Sequence, residues 1–172
     1  MKKLIIILFI LFSKINFGIA NTNIVFVDMN KIMTTSKPGA FILKQLNKKN
    51  EKKLKNFQKD EKSLKDRETK LLSQKNILSK KEFQSNIDKL KFEINDYNKN
   101  RQIFIKDINK LKNENEKKLL TMINSILIKY SDEKSISMIF PKKNLVIGKS
   151  ELDVTDEIIK IVNTEIKEFK IE

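Results

Sequence analysis

The sequence predicts an α+β protein in which a long antiparallel α-helical coiled-coil hairpin is inserted into a small β-rich body. Three observations carry this prediction. Residues 43–130 contain neither Gly nor Pro and are rich in Lys, Glu, Asn and Leu. Apolar residues recur there at heptad spacing, which is typical of helices that pair along their length. Short β-prone apolar runs lie on both sides of this stretch and favour strands.

The second half of the helical stretch has the clearer pattern. Alternate steps of four and three residues pass from Phe83 to Leu111 through nine positions, of which only Arg101 is not apolar. A strand would need period two and a lone surface helix a broader stripe, so this helix should have a partner. The predicted seam residues are Phe83, Ile87, Leu90, Ile94, Tyr97, Phe104, Ile108 and Leu111.

The first half carries a sparser seam. Apolar residues recur there in steps of seven or fourteen, at Leu43, Phe57, Leu64, Leu71 and Leu78. The heptad positions between them, here called the polar slots of the seam, hold Lys53, Asp60, Arg67 and Gln74. Such a helix would not dimerise strongly alone, but it can lie against the richer second helix.

A break separates the two halves. Ser79 and Glu82 have the spacing of a capping box, which would begin the second helix. Asn76 lies just before it, where a left-handed residue would end the first helix. We therefore predict a hairpin with its tip near residues 76–79, and one uninterrupted helix is the alternative. An arm of ~35 residues at ~1.5 Å per residue would extend ~50 Å.

The N-terminus has the pattern of a secretory signal. Lys2 and Lys3 precede nine unbroken apolar residues, and small residues lie at Gly18 and Ala20. We expect residues 1–20 to be a cleaved signal peptide, which in a bacterium would deliver the chain to the periplasm. An uncleaved membrane anchor is the alternative, although the apolar stretch is short for a membrane span.

The residues around the hairpin are predicted to form the body, from residues 21–42 and 119–172, with the arm at 43–118. Ile24–Asp28 suits a buried strand and is followed by a short helix. Ser36 or Lys37 would cap the long helix, with Pro38 in its first turn. Ile136–Phe140 and Leu145–Ile147 are predicted to form a β-hairpin around Pro141, and Thr155 to cap a last helix.

This body is small for one chain. It consists of two short pieces of chain with a few short apolar strands, which is marginal for an isolated core and prone to aggregate at open edges. Oligomerisation through the strands would solve both problems. The residues expected in the shared body are Ile24, Val25, Phe26, Val27, Ile136, Met138, Phe140, Leu145 and Ile147.

The composition restricts the function. Removing the leader with its three Lys lowers the formal net charge from +14 to +11, which favours anionic partners. A solvated helix face in a Lys- and Asn-rich composition is the alternative explanation. The chain has no Cys and no His, and its three Gly form no phosphate loop. We therefore expect no enzyme activity, no cofactor and no metal site.

Several segments in this order resemble a known family. The leader followed by IVFVDMNKIM, the basic helical hairpin, and ISMIFPKKNLVIGKSELDVTDEIIKIVN are similar to the Skp/OmpH periplasmic chaperones. The resemblance implies a jellyfish-like homotrimer, in which strands of three subunits form one body and three arms enclose a cavity. It also implies an ATP-independent holdase that keeps unfolded outer-membrane proteins from aggregating.

Client contacts are expected on the second arm helix. Phe92 and Ile103 lie off the seam and are eleven residues apart, which places them on one helix face beside Asp96 and Lys99. They would contact clients, or alternatively supplement the seam against the first helix. Lys80 and Lys81 at the tip are candidates for contact with clients or anionic lipid head groups, and a solvated turn is the alternative.

Two other classes share part of the pattern. A membrane-tethered coiled-coil spacer of the cell envelope would keep its leader. A basic coiled-coil nucleic-acid-binding protein would share the charge, but base readout favours Arg and the chain has only Arg67 and Arg101. We therefore expect no nucleic-acid partner.

Overall fold

The computed structural model describes residues 23–167, 169 and 171. The predicted signal peptide, residues 1–20, and its cleavage site before Asn21 lie outside the described residues.

A strand and a short helix begin the described chain. Strand β1 spans Ile24–Val27, with its last three residues buried, and helix α1 spans Met29–Thr35. The Asp28 carboxylate caps α1 by accepting from the Lys31 backbone N–H at 2.9 Å. The predicted strand and helical turns are confirmed.

The first long helix, α2, spans Lys37–Ser73. Ser36 is its cap, and the Ser36 hydroxyl accepts from the Gly39 N–H at 3.4 Å. Pro38 lies in the first turn, where its missing N–H costs nothing. Gly39 packs so closely that a Cβ there would lie 1.9 Å from the Met33 carbonyl oxygen. Gly39 therefore lets α2 begin directly against the end of α1.

The chain reverses over residues 74–79, and helix α3 runs from Lys80 to Glu133. The capping box is present, because the Ser79 hydroxyl accepts from the Glu82 N–H at 3.3 Å and the Glu82 carboxylate accepts from the Ser79 N–H at 3.2 Å. The antiparallel hairpin is confirmed and the single uninterrupted helix is excluded.

The predicted end of the first helix at a left-handed Asn76 is wrong. Helix α2 ends at Ser73, and Gln74 follows with φ −90° while its N–H donates to the Leu71 carbonyl. Among the described non-Gly residues, only Ser135 has a positive φ. The Lys75 N–H donates to the Leu72 carbonyl at 3.2 Å, and the Leu78 N–H donates to the Gln74 carbonyl at 3.0 Å. These turns satisfy carbonyls at and after the end of α2, so its C-terminus needs no left-handed residue.

The prediction of a β-rich body is also wrong, because the body is mostly helical. The described part of the chain contains one two-stranded sheet, in which β2 (Met138–Pro141) pairs in parallel with β1. Ile24 aligns with Met138 and Val27 with Pro141. On the other side of β1, the Val154 N–H donates to the Phe26 carbonyl at 3.1 Å.

The predicted β-hairpin around Pro141 does not form. Residues Lys142–Asn144 and Ser150–Leu152 are 3₁₀ turns, and Leu145–Ile147 is not a strand. Met138–Pro141 takes β1 as its partner instead. Pro141 is the last residue of β2, the expected place for a residue without an N–H to donate.

The last helix, α4, spans Thr155–Glu165, and Thr155 does not cap it as predicted. Thr155 is the first helical residue, and its own N–H donates to the Asp153 carboxylate at 3.0 Å. The Thr155 hydroxyl donates to Asp153 and accepts from the Asp28 N–H, at 2.8 Å for the latter. This buried Thr therefore joins the end of β1 to the start of α4.

The hydrophobic core lies where α1, α4, the start of α2 and the end of α3 meet β1. Its members include Val27, Ile32, Ile42, Leu46, Leu119, Ile123, Ile126, Tyr130, Ile158 and Val162. Asn115, where the heptad pattern breaks, is buried at the edge of this core and donates to the Leu111 carbonyl at 2.7 Å. The arm formed by α2 and the first part of α3 extends away from this core.

Candidate functional site

Three aromatic rings join the arm helices near the middle of their length. Phe57 of α2 is buried and packs edge-on against Tyr97 and at a tilt against Phe104, with both ring centroids 5.8 Å away. Each ring occupies a seam position predicted from the heptad pattern. Edge-to-face and tilted arrangements of this kind are favourable for aromatic pairs.

All eight apolar residues of the predicted α3 seam face the interior of the molecule to some degree. Leu90 is buried, and the others are half-buried: Phe83, Ile87, Ile94, Tyr97, Phe104, Ile108 and Leu111. On α2, Phe57 and Leu71 are buried and Leu64 is half-buried. Helix α3, which has more apolar seam residues, thus covers the apolar seam residues of α2, as the two heptad patterns predict.

A groove of about 540 Å³ lies between the arm helices beside the aromatic cluster. The α2 wall includes Lys53, Asp60 and Arg67, which occupy the polar slots of the sparse seam. The α3 wall includes Phe92, Asp96 and Ile103. Because the α2 slots hold polar side chains instead of Leu or Ile, the helices do not fill the space between them.

Phe92 and Ile103 are on the same side of the arm and line this one groove. Phe92 is 73% exposed and Ile103 is 46% exposed. Neither residue is buried against α2, although Ile103 is about half covered. The third candidate on this face, Lys99, is exposed and does not line the groove.

Charged side chains of both signs border the groove. Arg67 and Glu93 form an ion pair between the helices, with Nη2 and Oε1 2.8 Å apart. The hydrogen bond from Arg67 is the main cause that lowers the pKa of Glu93 below its ordinary value. The Lys53 ammonium lies 5.1 Å from the centre of the Phe57 ring, a favourable cation–π distance.

The carboxylates of the groove outnumber its cations. Asp60, Glu93, Asp96 and Asp107 line it together with Lys53 and Arg67. Within the described part of the chain, Asp96 accepts only from the Asn100 amide, at 2.9 Å. Asp60 and Asp107 have no hydrogen bond or ion pair there.

The tip of the arm combines positive charge with exposed apolar side chains. Lys80 and Lys81 are exposed in the first turn of α3, and Lys75 is exposed in the reversal. Ile77 is 80% exposed, and Leu72 also projects into solvent. Ile77 was not predicted as a site residue, although an apolar residue inside the break between the helices is visible in the sequence.

The predicted shared-body residues divide into buried and exposed sets. Val25, Phe26 and Val27 are buried, and Ile136 and Leu145 are half-buried. Ile24, Met138, Phe140 and Ile147 are exposed, Ile147 to 90%. Val146, which was not among the candidates, is fully exposed. Strict alternation along a strand would have placed Val146 on the face opposite to Leu145 and Ile147.

The described residues show neither a metal site nor a membrane span. No group of three or more His, Cys, Asp or Glu in this part of the chain is placed to hold a metal ion. No helix within it combines the length and apolar character that crossing a membrane requires.

Comparison with known proteins shows similarity to one protein family and to solved structures. A family model described as Outer membrane protein (OmpH-like) matches residues 23–162. Among solved structures, the chain is similar to an OmpH-like protein from Caulobacter crescentus that is provisionally named an outer membrane chaperone. The two share 12% identity and a TM-score of 0.80 over 90% of this chain and 92% of that one, which shows a common fold. The comparison with curated proteins gives no match.

Proposed function

This chain belongs to the OmpH-like outer membrane protein family, and from that premise we propose that it is an ATP-independent holdase of the periplasm. The resemblance found in the sequence is confirmed at the level of the family, whose members are periplasmic chaperones and not enzymes. In our proposal the chain binds unfolded outer-membrane proteins between its helical arms and keeps them from aggregating.

The exposed apolar side chains of the arm are the observation that carries this proposal. Phe92 and Ile103 border a groove beside the aromatic cluster, and Phe92 is 73% exposed. Exposed apolar surface is costly unless it meets a partner. A nonnative chain is a suitable partner, because it presents apolar residues in no fixed geometry.

The holding step needs no reaction chemistry. Net positive charge attracts acidic segments over a screening distance of about 8 Å at physiological salt. Many weak apolar contacts then keep client segments apart from each other without burying them permanently. The client is released when another site binds it more strongly than these contacts do, so no nucleotide is required.

We also propose that three copies share one body formed from residues 21–42 and 119–172, with arms at 43–118. The support is the exposed apolar surface of the body. Strand β2 pairs with β1 on one side, and Met138 and Phe140 are exposed on it. Val146 and Ile147, in the segment that follows β2, are also exposed. Contact between copies would cover the exposed side chains of β2 and of the segment after it, and would place three arms around one cavity.

The test is a client-retention assay with purified residues 21–172. The chain should suppress the aggregation of a β-barrel membrane protein diluted from urea, as followed by light scattering, without added nucleotide. The double variant Phe92→Ser/Ile103→Ser should retain clients several-fold less well while keeping its oligomeric state.

The matched control is Leu54→Ser/Ile105→Ser, which removes two exposed apolar arm residues that do not line the groove. The control should retain clients like the wild type. If the wild type fails to suppress aggregation, the holdase proposal is wrong. If the groove variant loses melting temperature as strongly as it loses retention, the two residues serve packing instead of client binding.

A further inference from the structure

The groove of the arm has a charge opposite to that of the chain. The chain carries a formal net charge of +14, yet four carboxylates and only two cations line the groove. Arg67 and Glu93 neutralise each other through their ion pair. The remaining charges are Asp60, Asp96 and Asp107 against Lys53.

We propose that this groove binds an aromatic side chain of an extended client segment that carries Lys or Arg next to the aromatic residue. The inference rests on the proposed holdase function and names the class of segment that the arm selects. It concerns a single arm, so it does not depend on how many copies assemble.

The apolar floor of the groove accounts for the aromatic part of the segment. Phe57, Tyr97 and Phe104 already form a cluster of rings, and Phe92 projects beside it with most of its surface exposed. The volume of about 540 Å³ lies within the ~300–1,000 Å³ typical of ligand pockets. One further ring can therefore pack edge-on against the cluster and cover Phe92 and Ile103.

The three aspartates account for the basic part of the segment. Asp60 and Asp107 have no ionic partner among the described residues, and the Asp96 carboxylate meets only a neutral amide. A Lys or Arg next to the bound ring would meet one of these carboxylates at contact distance, where attraction is strong and less screened than at long range. A Glu or Asp at the same place would be repelled.

The geometry of an extended chain allows both contacts at once. Successive residues of an extended segment rise about 3.3 Å and point to opposite sides. The side chain of a basic residue directly before or after the aromatic residue therefore starts on the side away from the groove floor, and the long stem of Lys or Arg lets its charged end bend back to the rim. The overall positive charge of the chain attracts acidic clients at long range, and the groove selects basic–aromatic segments at contact.

Tryptophan fluorescence gives a direct test, because the chain contains no Trp. Two short peptides of equal length are compared, one with Trp between two Lys and one with Trp between two Glu. Residues 21–172 should bind the Lys peptide at least about tenfold more tightly at low salt, with a blue shift of the Trp emission. Equal binding of both peptides, or binding of neither, would overturn the inference.

A variant and its matched control show whether the preference for the Lys peptide comes from the groove. Asp60→Asn/Asp96→Asn/Asp107→Asn should weaken binding of the Lys peptide at least fivefold. Glu51→Gln/Asp66→Asn/Glu68→Gln makes the same change of charge on exposed residues that do not line the groove, and it should leave binding within twofold. Equal weakening by both triple variants would overturn the inference.

The outcome is separable from that of the proposed function. Suppressed aggregation of a β-barrel protein without a preference for the Lys peptide contradicts the groove inference alone. Failure to suppress aggregation contradicts the holdase function itself, whichever peptide binds.

Discussion

Arg67 and Glu93 connect the two helices of the arm through a two-point ion pair, in which Nη2 lies 2.8 Å from Oε1 and Nη1 donates to Oε2. Arg67 occupies a polar position of the α2 seam, and Glu93 flanks the α3 seam next to Ile94, where charged residues are common in coiled coils. The fork of the guanidinium matches the carboxylate at both oxygens, so the pair also fixes the register of the helices.

The pair should make the arm more stable at neutral than at acidic pH. The pKa of Glu93 is lowered in the folded state. The stability that Glu93 contributes is therefore complete above the pKa of an unfolded Glu, about 4.3, and is lost as the pH falls through the folded pKa. Glu93→Gln should therefore lower the melting temperature slightly at pH 7. The difference in melting temperature between this variant and the wild type should shrink below about pH 4.

Thermal unfolding followed by circular dichroism at both pH values is the measurement. Glu68→Gln is the control, since Glu68 is exposed on α2 and has no ion pair or hydrogen bond within the described residues. A pH-independent difference for Glu93→Gln would show that the carboxylate acts by packing and not by charge.

The helical hairpin could be predicted because its signals are local or periodic. Ser79 and Glu82 are three residues apart, and that spacing alone implies the capping box that begins α3. The apolar residues of α3 repeat every seven residues, so the partnered face can be read without knowing the partner. The groove was not predicted as a cavity, although the polar slots at Lys53, Asp60 and Arg67 that create it were visible.

The body could not be predicted correctly because its contacts join distant residues. The sequence around Pro141 favours a local hairpin, but β2 pairs with β1 more than a hundred residues earlier. Thr155 is likewise a plausible cap by residue type. Its hydroxyl instead accepts from the Asp28 N–H, a contact that no local pattern reveals. Competition between local and distant partners is decided by packing, which a single sequence does not display.

Leu119 should be far more important for stability than its neighbour Leu120. Leu119 is completely buried in the core, whereas Leu120 is exposed on the other face of α3. Leu119→Ala should cost about 2–5 kcal/mol of unfolding free energy, because it removes buried surface and leaves a cavity. Leu120→Ala should cost less than about 1 kcal/mol.

Urea unfolding of both variants and the wild type gives this comparison. All three must be measured at one protein concentration, because the stability of an oligomer depends on concentration. Similar losses for the two variants would mean that Leu120 is covered by another copy of the chain in solution.

Tyr130 should make the body sensitive to alkaline pH. Its hydroxyl donates to Glu157 at 2.7 Å, and burial first, then this bond, raises the pKa of Tyr130 to about 12. An unfolded Tyr ionises near pH 10, so the stability that Tyr130 contributes is complete below about pH 10 and is lost as the pH rises towards the folded value. Tyr130→Phe should lose less stability than the wild type across this window.

Tyrosinate absorbance and urea unfolding between about pH 9 and 12 test this expectation. Tyr97→Phe is the comparison, since Tyr97 is the only other Tyr of the chain and is half-buried on the arm. If Tyr130→Phe and the wild type lose stability in parallel, ionisation of Tyr130 does not govern the alkaline transition.

The tip of the arm should bind anionic membranes weakly. Ile77 projects into solvent between Lys75 and the pair Lys80 and Lys81, so an apolar residue is surrounded by positive charge. Near an anionic surface each Lys contributes about 1 kcal/mol, and this attraction is screened by salt. Lys80→Glu/Lys81→Glu should abolish co-sedimentation with anionic vesicles at low salt, and Ile77→Ser should reduce it.

Lys59→Glu/Lys62→Glu is the matched control, because it changes the same charge on exposed residues in the middle of α2. This control should bind vesicles better than the tip variant does. Equal binding of the wild type to anionic and zwitterionic vesicles would contradict an electrostatic role for the tip.

The segment that follows β2 should hold copies of the chain together. Gly148 fixes this segment against β1, since a Cβ there would lie 2.7 Å from the Phe26 ring. Val146 and Ile147 nevertheless point into solvent and are almost completely exposed. Apolar side chains on a segment held this firmly stabilise the protein only when another surface covers them, at about 25 cal/mol per Å².

Light scattering during size-exclusion chromatography should therefore give the mass of three chains for residues 21–172. Val146→Lys/Ile147→Lys should shift the population towards single chains as the protein is diluted, because each Lys would have to be buried without a partner. Leu54→Lys/Ile105→Lys, on the arm, should keep the wild-type mass. A trimer that survives the segment variant must be held by other residues, and a wild type that is a single chain at every concentration would contradict the shared body.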